Sequence, residues 1–418
     1  MEYIQPAVGF IVLISLALVF SSNIKAVKVK YISIAMLLQI VLALLFIKLP
    51  QSTWFFEKLS VAVLSLKDAN DFGVQFVFGY LSDGAPNAPF EITDPTKTFI
   101  FAFGGLSLVI FMSALSALLW YLGIMPAVVN ALSILFKKPL DVGGPVGLSA
   151  TANVFLGQLE APLLVRPYLA RMTRNELLIT MTIGMSTIAG SVMVIFTTML
   201  MPIYGPGLIG HFLSASILSV PAGIMFANIM IPPDGNKTEA LEGEEDEKLY
   251  NGTADAISQG TQSGIDVFIN VAGLLIVVLA FVFLINQILG LLPNINGQPI
   301  SLEIILGYLF APIAWCMGIP WEESLTAGTL LGVKTAMNEF VAYIYLADVE
   351  TYALSEKSRL IMLYGLCGFA NFSSVAILLS GLGAIIPQRK EDLIAVSGKA
   401  LWAAILASCM TGYVVSLI

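Results

Sequence analysis

Apolar residues in this chain fall in long runs rather than in alternating stripes. Runs at 4–19, 31–47, 99–136, 177–204, 209–231, 267–292, 358–386 and 395–418 are separated by short charged or Gly/Pro-rich connectors. A helix needs roughly 20 apolar residues to cross a bilayer, where only internal hydrogen bonds can satisfy the backbone. The pattern therefore predicts an all-α polytopic membrane protein with eight transmembrane helices seated in a lipid bilayer. The first run has no small-residue cleavage site after a short apolar core, so it reads as a retained span. Residues 52–66 are amphipathic and predict an interfacial helix, followed by a connector carrying Asp68, Asp71, Asp83, Glu91 and Asp94. The 99–136 run is too long for one straight span and predicts a crossing that continues along the surface to Lys137 and Lys138.

Two stretches, 143–167 and 319–346, are apolar enough to enter the membrane yet carry polar residues and glycines at their centres. They predict re-entrant helical hairpins, because broken backbone at membrane depth survives only when buried in protein or lining a wet cavity.

Composition narrows the function. With 57% hydrophobic and 11% charged residues, a soluble multidomain enzyme is excluded. The single histidine, His211, and three dispersed cysteines, Cys316, Cys367 and Cys409, offer neither metal-ligand spacing nor a disulfide framework. The net charge of −8 is local: eight acids against Lys237 and Lys248 put −6 between Asp234 and Asp255, which reads as a solvated loop. Nothing in it points to a nucleic-acid partner. The short basic connectors at Lys25, Lys28 and Lys30, at Lys137 and Lys138, and at Arg389 and Lys390 fall on one side of an eight-span topology. By the positive-inside rule that side is cytoplasmic and both termini lie outside.

The chemistry concentrates in the hairpins. The first holds Asn153-Val154-Phe155-Leu156-Gly157-Gln158-Leu159-Glu160-Ala161-Pro162, and the second Asn338-Glu339-Phe340. A carboxylate at membrane depth costs at least ~2.5 kcal/mol, so it calls for a partner, a cation or water. After each hairpin comes a span with a polar interruption, Ser186-Thr187-Ile188-Ala189-Gly190-Ser191 in one and Asn371-Phe372-Ser373-Ser374 in the other. Glu160 precedes Thr187 by 27 residues and Glu339 precedes Asn371 by 32, so a hairpin followed by a broken helix occurs twice. Such inverted repeats are a common plan of secondary transporters that bind near the midplane. Alternatives stay open at this level: an interfacial turn is the lesser reading of the first tip, and back-bonding along their own helices accounts for any one hydroxyl better than for both clusters together. Glu322 and Glu323 read as first-turn dipole compensation and Arg166 as a snorkelling side chain. Whether Lys334 pairs with a carboxylate is undecided.

These strings, together with Cys367-Gly368-Phe369-Ala370 ahead of Asn371, resemble the concentrative nucleoside transporter family, bacterial type, over nearly the whole chain. The resemblance implies a homotrimer in a cell inner membrane, its protomers transporting independently. It implies a scaffold of 1–142 (spans 1–3 and the interfacial helix) and 263–300 (span 6), an acidic cytoplasmic loop at 233–262, and a transport domain of 143–232 and 301–418. Gln158 and Glu160 would bind the nucleobase, and Glu339, Asn371 and Ser374 the ribose hydroxyls, with Asn338 and Phe369 lining the pocket. A coupling sodium ion would lie at Asn153, Leu156, Thr187 and Ile188, while a proton on Glu160 or Glu339 is the alternative. Leu159 stands where the family usually has a small hydroxyl residue, which implies altered base selectivity or another ribosylated or sugar-like solute. The expected function is thus ion-coupled import by alternating access. An ion channel would need a continuous polar pathway, and an intramembrane hydrolase a nucleophile and base that the chain does not supply.

Overall fold

The computed structural model describes residues 4–82, 88–93, 98, 100–205, 207–239, 249–293 and 299–418. Most of the acidic cluster, together with Asp83 and Asp94, lies outside them. The described chain is helical throughout: α1 (Ile4–Val19), α2 (Val29–Ala43), α3 (Pro50–Phe78), α4 (Leu108–Tyr121), α5 (Ile124–Leu140), α6 (Gly144–Ala152), α7 (Glu160–Leu163), α8 (Arg166–Leu169), α9 (Arg174–Ser186), α10 (Gly190–Tyr204), α11 (Leu208–Met230), α12 (Thr253–Leu289), α13 (Leu302–Cys316), α14 (Trp321–Ala336), α15 (Glu339–Ala347), α16 (Glu356–Gly365), α17 (Phe372–Ile385) and α18 (Lys390–Ser416).

Among the described residues six segments are long and apolar enough to cross a membrane: Val29–Lys48, Ala102–Tyr121, Arg174–Tyr204, Leu208–Met230, Thr253–Leu289 and Pro387–Ser416. Helices α1 and α17 are apolar but shorter. Several expected boundaries move. The interfacial helix runs to Phe78, because Asp71 is paired with Lys67 one turn back and does not end it. The 99–136 run breaks at Gly123, whose φ of +80° ends α4 and starts α5. Helix α12 begins at Thr253, inside the stretch read as loop, since its first turns are polar but helix-compatible. At 37 residues it is about 55 Å long, well beyond a ~30 Å hydrocarbon core. Helix α13 was not foreseen as a separate element; it meets α14 at a 118° bend.

Small residues set the packing, as they do where no hydrophobic force separates helix from lipid. Gly260 and Gly264 lay α12 directly on α4: a Cβ on Gly264 would stand 2.6 Å from the Ile110 Cα. Gly328 and Gly332 bring α14 against α13 in the same way. Helix α11 is 94% buried in its apolar window and α12 only 11%, so α11 forms the centre with α9 and α18 while α12 lies at the periphery.

The charged connectors gather on one face. Arg389 donates to the carbonyls of Ala170 and Met172, and Asp392 accepts from both Arg389 and Arg174. Asp141 accepts from Tyr31 and Lys237. The buried Glu176 completes a capping box with Thr173 and also accepts from the N–H and hydroxyl of Thr238. Tyr31, Asp141, Glu176 and Lys237 line a cavity of about 210 Å³, and their bonds tie the loop after α11 to the foot of the first hairpin.

Candidate substrate and ion site

Helix α6 stops at Ala152, and regular helix resumes only at Glu160. In the gap the Gly157 N–H donates to Glu160 Oε2 at 3.1 Å, so the carboxylate caps its own turn. The amide of Asn153 is oriented by its Nδ2 donating to Ser149 O at 3.0 Å, which leaves Oδ1 buried without a partner. The Oε1 of Gln158 is likewise buried and unpartnered. Gln158 lies on Gly184 of α9, where a Cβ would come within 3.2 Å of its own Cβ. Leu159 turns the other way, onto Gly381 of α17.

The chain between α9 and α10 is extended at Thr187 and Ala189, so the expected polar interruption is a true helix break. Gly190 N–H donates to Phe155 O at 2.8 Å, joining this break to the first hairpin tip. Thr187 Oγ1 donates to Ile183 O, and Ile188 N–H to the Ser216 hydroxyl of α11. Asn153, Leu156, Thr187 and Ile188 are all buried, on the two segments that the Gly190–Phe155 bond joins. Neutral amide, hydroxyl and carbonyl oxygens, one of them unpartnered, fit a hard monovalent cation. Among the described residues no three acidic, cysteine or histidine side chains cluster as a metal site.

The 319–346 stretch and the α16–α17 break repeat the plan. Asn338 caps α15 by accepting from Val341 N–H, and Asn371 caps α17 by accepting from Ser374 N–H. Asn371 Nδ2 donates to Glu339 Oε2 at 2.9 Å, both residues being buried. Two helix N-termini thus converge on one carboxylate, and their dipoles favour its charge. Lys334 is buried as well, and its Nζ donates to the last carbonyl of α16, Gly365 O, at 3.0 Å rather than to a carboxylate. Phe369 is partly buried in the break between α16 and α17. His211, near the start of α11, is hydrogen-bonded to Tyr364 and stands outside this set.

The two breaks touch. Gly368 has a φ of +135°, and a Cβ on it would lie 2.8 Å from the Ser186 carbonyl oxygen. Glu160 faces a cavity of about 150 Å³, lined across from it by Ser113, Ser116 and Trp120 of α4, Gln259 and Ser263 of α12, and Tyr250. Burial and the nearby Glu160 push the Tyr250 phenol up to about 12, so at neutral pH it is a hydrogen-bond donor.

Sequence reasoning missed Ser216, Gly184, Gly381 and this α4–α12 wall. The glycines carry a signal only in hindsight, since a close approach is a pairwise fact. The serines of α4 fit a buried helix equally well.

A family model for the Na+ dependent nucleoside transporter N-terminus matches residues 8–81, one for nucleoside recognition (a gate domain) 102–203, and one for the Na+ dependent nucleoside transporter C-terminus 211–416. The nucleoside permease NupC of Helicobacter pylori is 34% identical over 98% of this chain and 96% of its own length. Human solute carrier family 28 member 3 is 32% identical over 91% of this chain and 55% of its own. Among solved structures, CNTnw in an inward-facing substrate-bound state matches with a TM-score of 0.89 at 32% identity over 100% of this chain and 98% of that one. An outward-facing state of the same transporter matches with a TM-score of 0.90. These relatives are transporters rather than enzymes, and the chain belongs to the Na+-dependent, concentrative nucleoside transporter family.

Proposed function

We propose that this chain imports nucleosides across a cell inner membrane, driven by sodium. In this reading the nucleobase binds at Gln158 and Glu160 and the ribose hydroxyls at Glu339, Asn371 and Ser374, with Asn338 and Phe369 lining the pocket. The chain crosses eight times with both termini outside and assembles as a homotrimer. The observation that carries the site is that two of the three buried, unpartnered side-chain oxygens in the first hairpin, Asn153 Oδ1 and Gln158 Oε1, belong to its amides, the third being Ser149 Oγ. Leaving such atoms unpaired costs about 1–3 kcal/mol each, which a cation and a base donor would recover.

Sodium, when bound, supplies positive charge to Asn153 Oδ1, the Thr187 hydroxyl and the backbone at Leu156 and Ile188. The tip already meets the α9–α10 break through the Gly190 N–H and Phe155 O, with Gln158 against α9 and Glu160 facing the cavity, and a bound ion would hold it there. The vicinal hydroxyls of a ribose can donate to Glu339, whose second acceptor site Asn371 already holds in place. Leu159 brings no hydrogen bond to the base, so base selectivity differs from that of a chain with a hydroxyl there. Closure of both hairpins over a solute bound between them is the element that the two substrates bias together.

The test is radiolabelled uridine uptake into proteoliposomes under an inward sodium gradient, with an inward proton gradient in parallel and Glu339→Gln as control. Sodium-driven accumulation that the variant loses is the expected result. Uptake driven by the proton gradient alone would replace sodium, and no uptake under either gradient would overturn the substrate assignment.

A further inference from the structure

Lys334 is the one cationic side chain among the described residues that is fully buried in the second repeat, 2% exposed, and the mechanism above does not use it. It lies four residues before Asn338 on the last turn of α14, and its ammonium reaches across to the final carbonyl of the half-helix α16. That end of α16 is held throughout by side chains. Tyr343 OH donates to Leu363 O at 2.8 Å, Lys334 Nζ to Gly365 O at 3.0 Å, and Ser408 Oγ to Cys367 O at 3.4 Å.

The corresponding end in the first repeat is the C-terminus of α9. Both half-helices stop at a break, both are followed by a second half-helix, and the breaks abut at Gly368 and Ser186. Each C-terminus carries the negative end of a helix dipole into a buried, low-dielectric crossing. Beside the end of α9 the side-chain bonds among the described residues come from neutral groups: Thr187 bonds back to its own helix, Ser216 meets the Ile188 N–H, and the Asn153 oxygen stays unpartnered. Beside α16 stands an ammonium. Half-helix C-termini in such folds are places where cations bind.

We propose that the Lys334 ammonium is a tethered cation, doing at the α16–α17 break what a free sodium ion does at the α9–α10 break. The inference rests on the sodium reading of the first break. It explains why one repeat needs an ion from solution and the other does not: the charge that neutralises the second break, and faces the ribose-side carboxylate Glu339 five residues along α14 and α15, is already covalently attached. Lys334 is a positioning residue, holding α16 to hairpin 2 so that Asn371 and Glu339 meet.

The experiment compares wild type with Lys334→Met, Lys334→Arg and Lys334→Ala, purified in detergent and reconstituted. Met keeps the volume without the charge, Arg keeps the charge, and Ala leaves room for a small cation. Uridine uptake in Lys334→Met should fall about tenfold or more, the loss expected for a buried hydrogen bond to a charged group, while its elution profile stays that of wild type. Lys334→Arg should retain most uptake. Thermal melting in methylammonium or sodium against choline provides a readout independent of transport. Lys334→Ala should gain a cation-dependent rise in melting temperature beyond that of wild type, and Lys334→Met should not. Wild-type uptake in Lys334→Met, or no added cation response in Lys334→Ala, would overturn the proposal. If Lys334→Met fails to fold, failure of both arginine and methylammonium to restore a stable protein overturns it instead. Should wild type transport no nucleoside, the transport reading falls, and the melting comparison still decides the role of Lys334.

Discussion

Gly368 packs so closely on Ser186 that the two broken helices meet backbone to backbone: a Cβ on Gly368 would stand 2.8 Å from the Ser186 carbonyl carbon and oxygen. Neither helix could supply this contact alone. Its neighbour Asn371 is placed by the same break, and so is its bond to Glu339.

Gly368→Ala therefore meets two obstacles, a φ of +135° that L-residues rarely adopt and a clash with backbone that cannot move aside as a side chain could. Strain and overpacking together should cost about 2–4 kcal/mol. Thermal melting in detergent and uridine binding by calorimetry should both drop; a variant with unchanged melting would show that the breaks can separate freely.

Asn153→Ala removes the buried oxygen that has no partner. That oxygen gains nothing in the empty protein, but the variant also gives up the Nδ2 bond to Ser149 O, so the two effects offset and melting in choline should stay within about 1 kcal/mol equivalent of wild type. Sodium-dependent stabilisation should vanish at the same time. A variant that keeps the sodium response would move the ion away from this hairpin.

Gly381→Ala acts on Leu159. The new Cβ would lie 2.3 Å from a Leu159 methyl, and that flexible end can swing away at small cost. Displacing it toward the base side should shift competition among uridine, cytidine, adenosine and guanosine by about threefold or more, with 2′-deoxy discrimination unchanged. If the preference for bases stays put while Leu159→Thr alters it, Leu159 acts locally and not through its seat on α17.

Asp392 joins the connectors, and its hydrogen bonds to Arg389 and then Arg174 hold its carboxyl below the usual carboxylate range. A group depressed on folding adds stability above its unfolded pKa and loses it as pH falls through the folded value. Melting of wild type should therefore decline on acidification from about pH 4 downward, and Asp392→Asn should flatten part of that decline. The site is near the surface, so the difference should be no more than about 1 kcal/mol and should shrink in high salt. Identical pH profiles would mean the pair is screened out entirely.

The apolar runs and the charged connectors determined the class of this protein, an all-helical chain with several long apolar helices, because burial in lipid permits only helices and penalises every carboxylate at depth. The motif strings around Glu160, Thr187, Glu339 and Asn371 were legible for the same reason: polar residues are rare enough in such a chain to stand out. Helix ends were read less well. Gly123 ended one helix early, and polar first turns extended α12 back to Thr253, since local cap and turn energies of about 1 kcal/mol are easily outweighed by packing. What only the tertiary structure decided is pairwise. That Lys334 meets the Gly365 carbonyl and not a carboxylate, that Leu159 rests on Gly381, and that Gly368 lies on Ser186 are contacts between residues far apart in the chain. Hydrogen bonds and van der Waals contacts act only over a few ångströms, and a one-dimensional pattern carries no information at that range until the helices have packed.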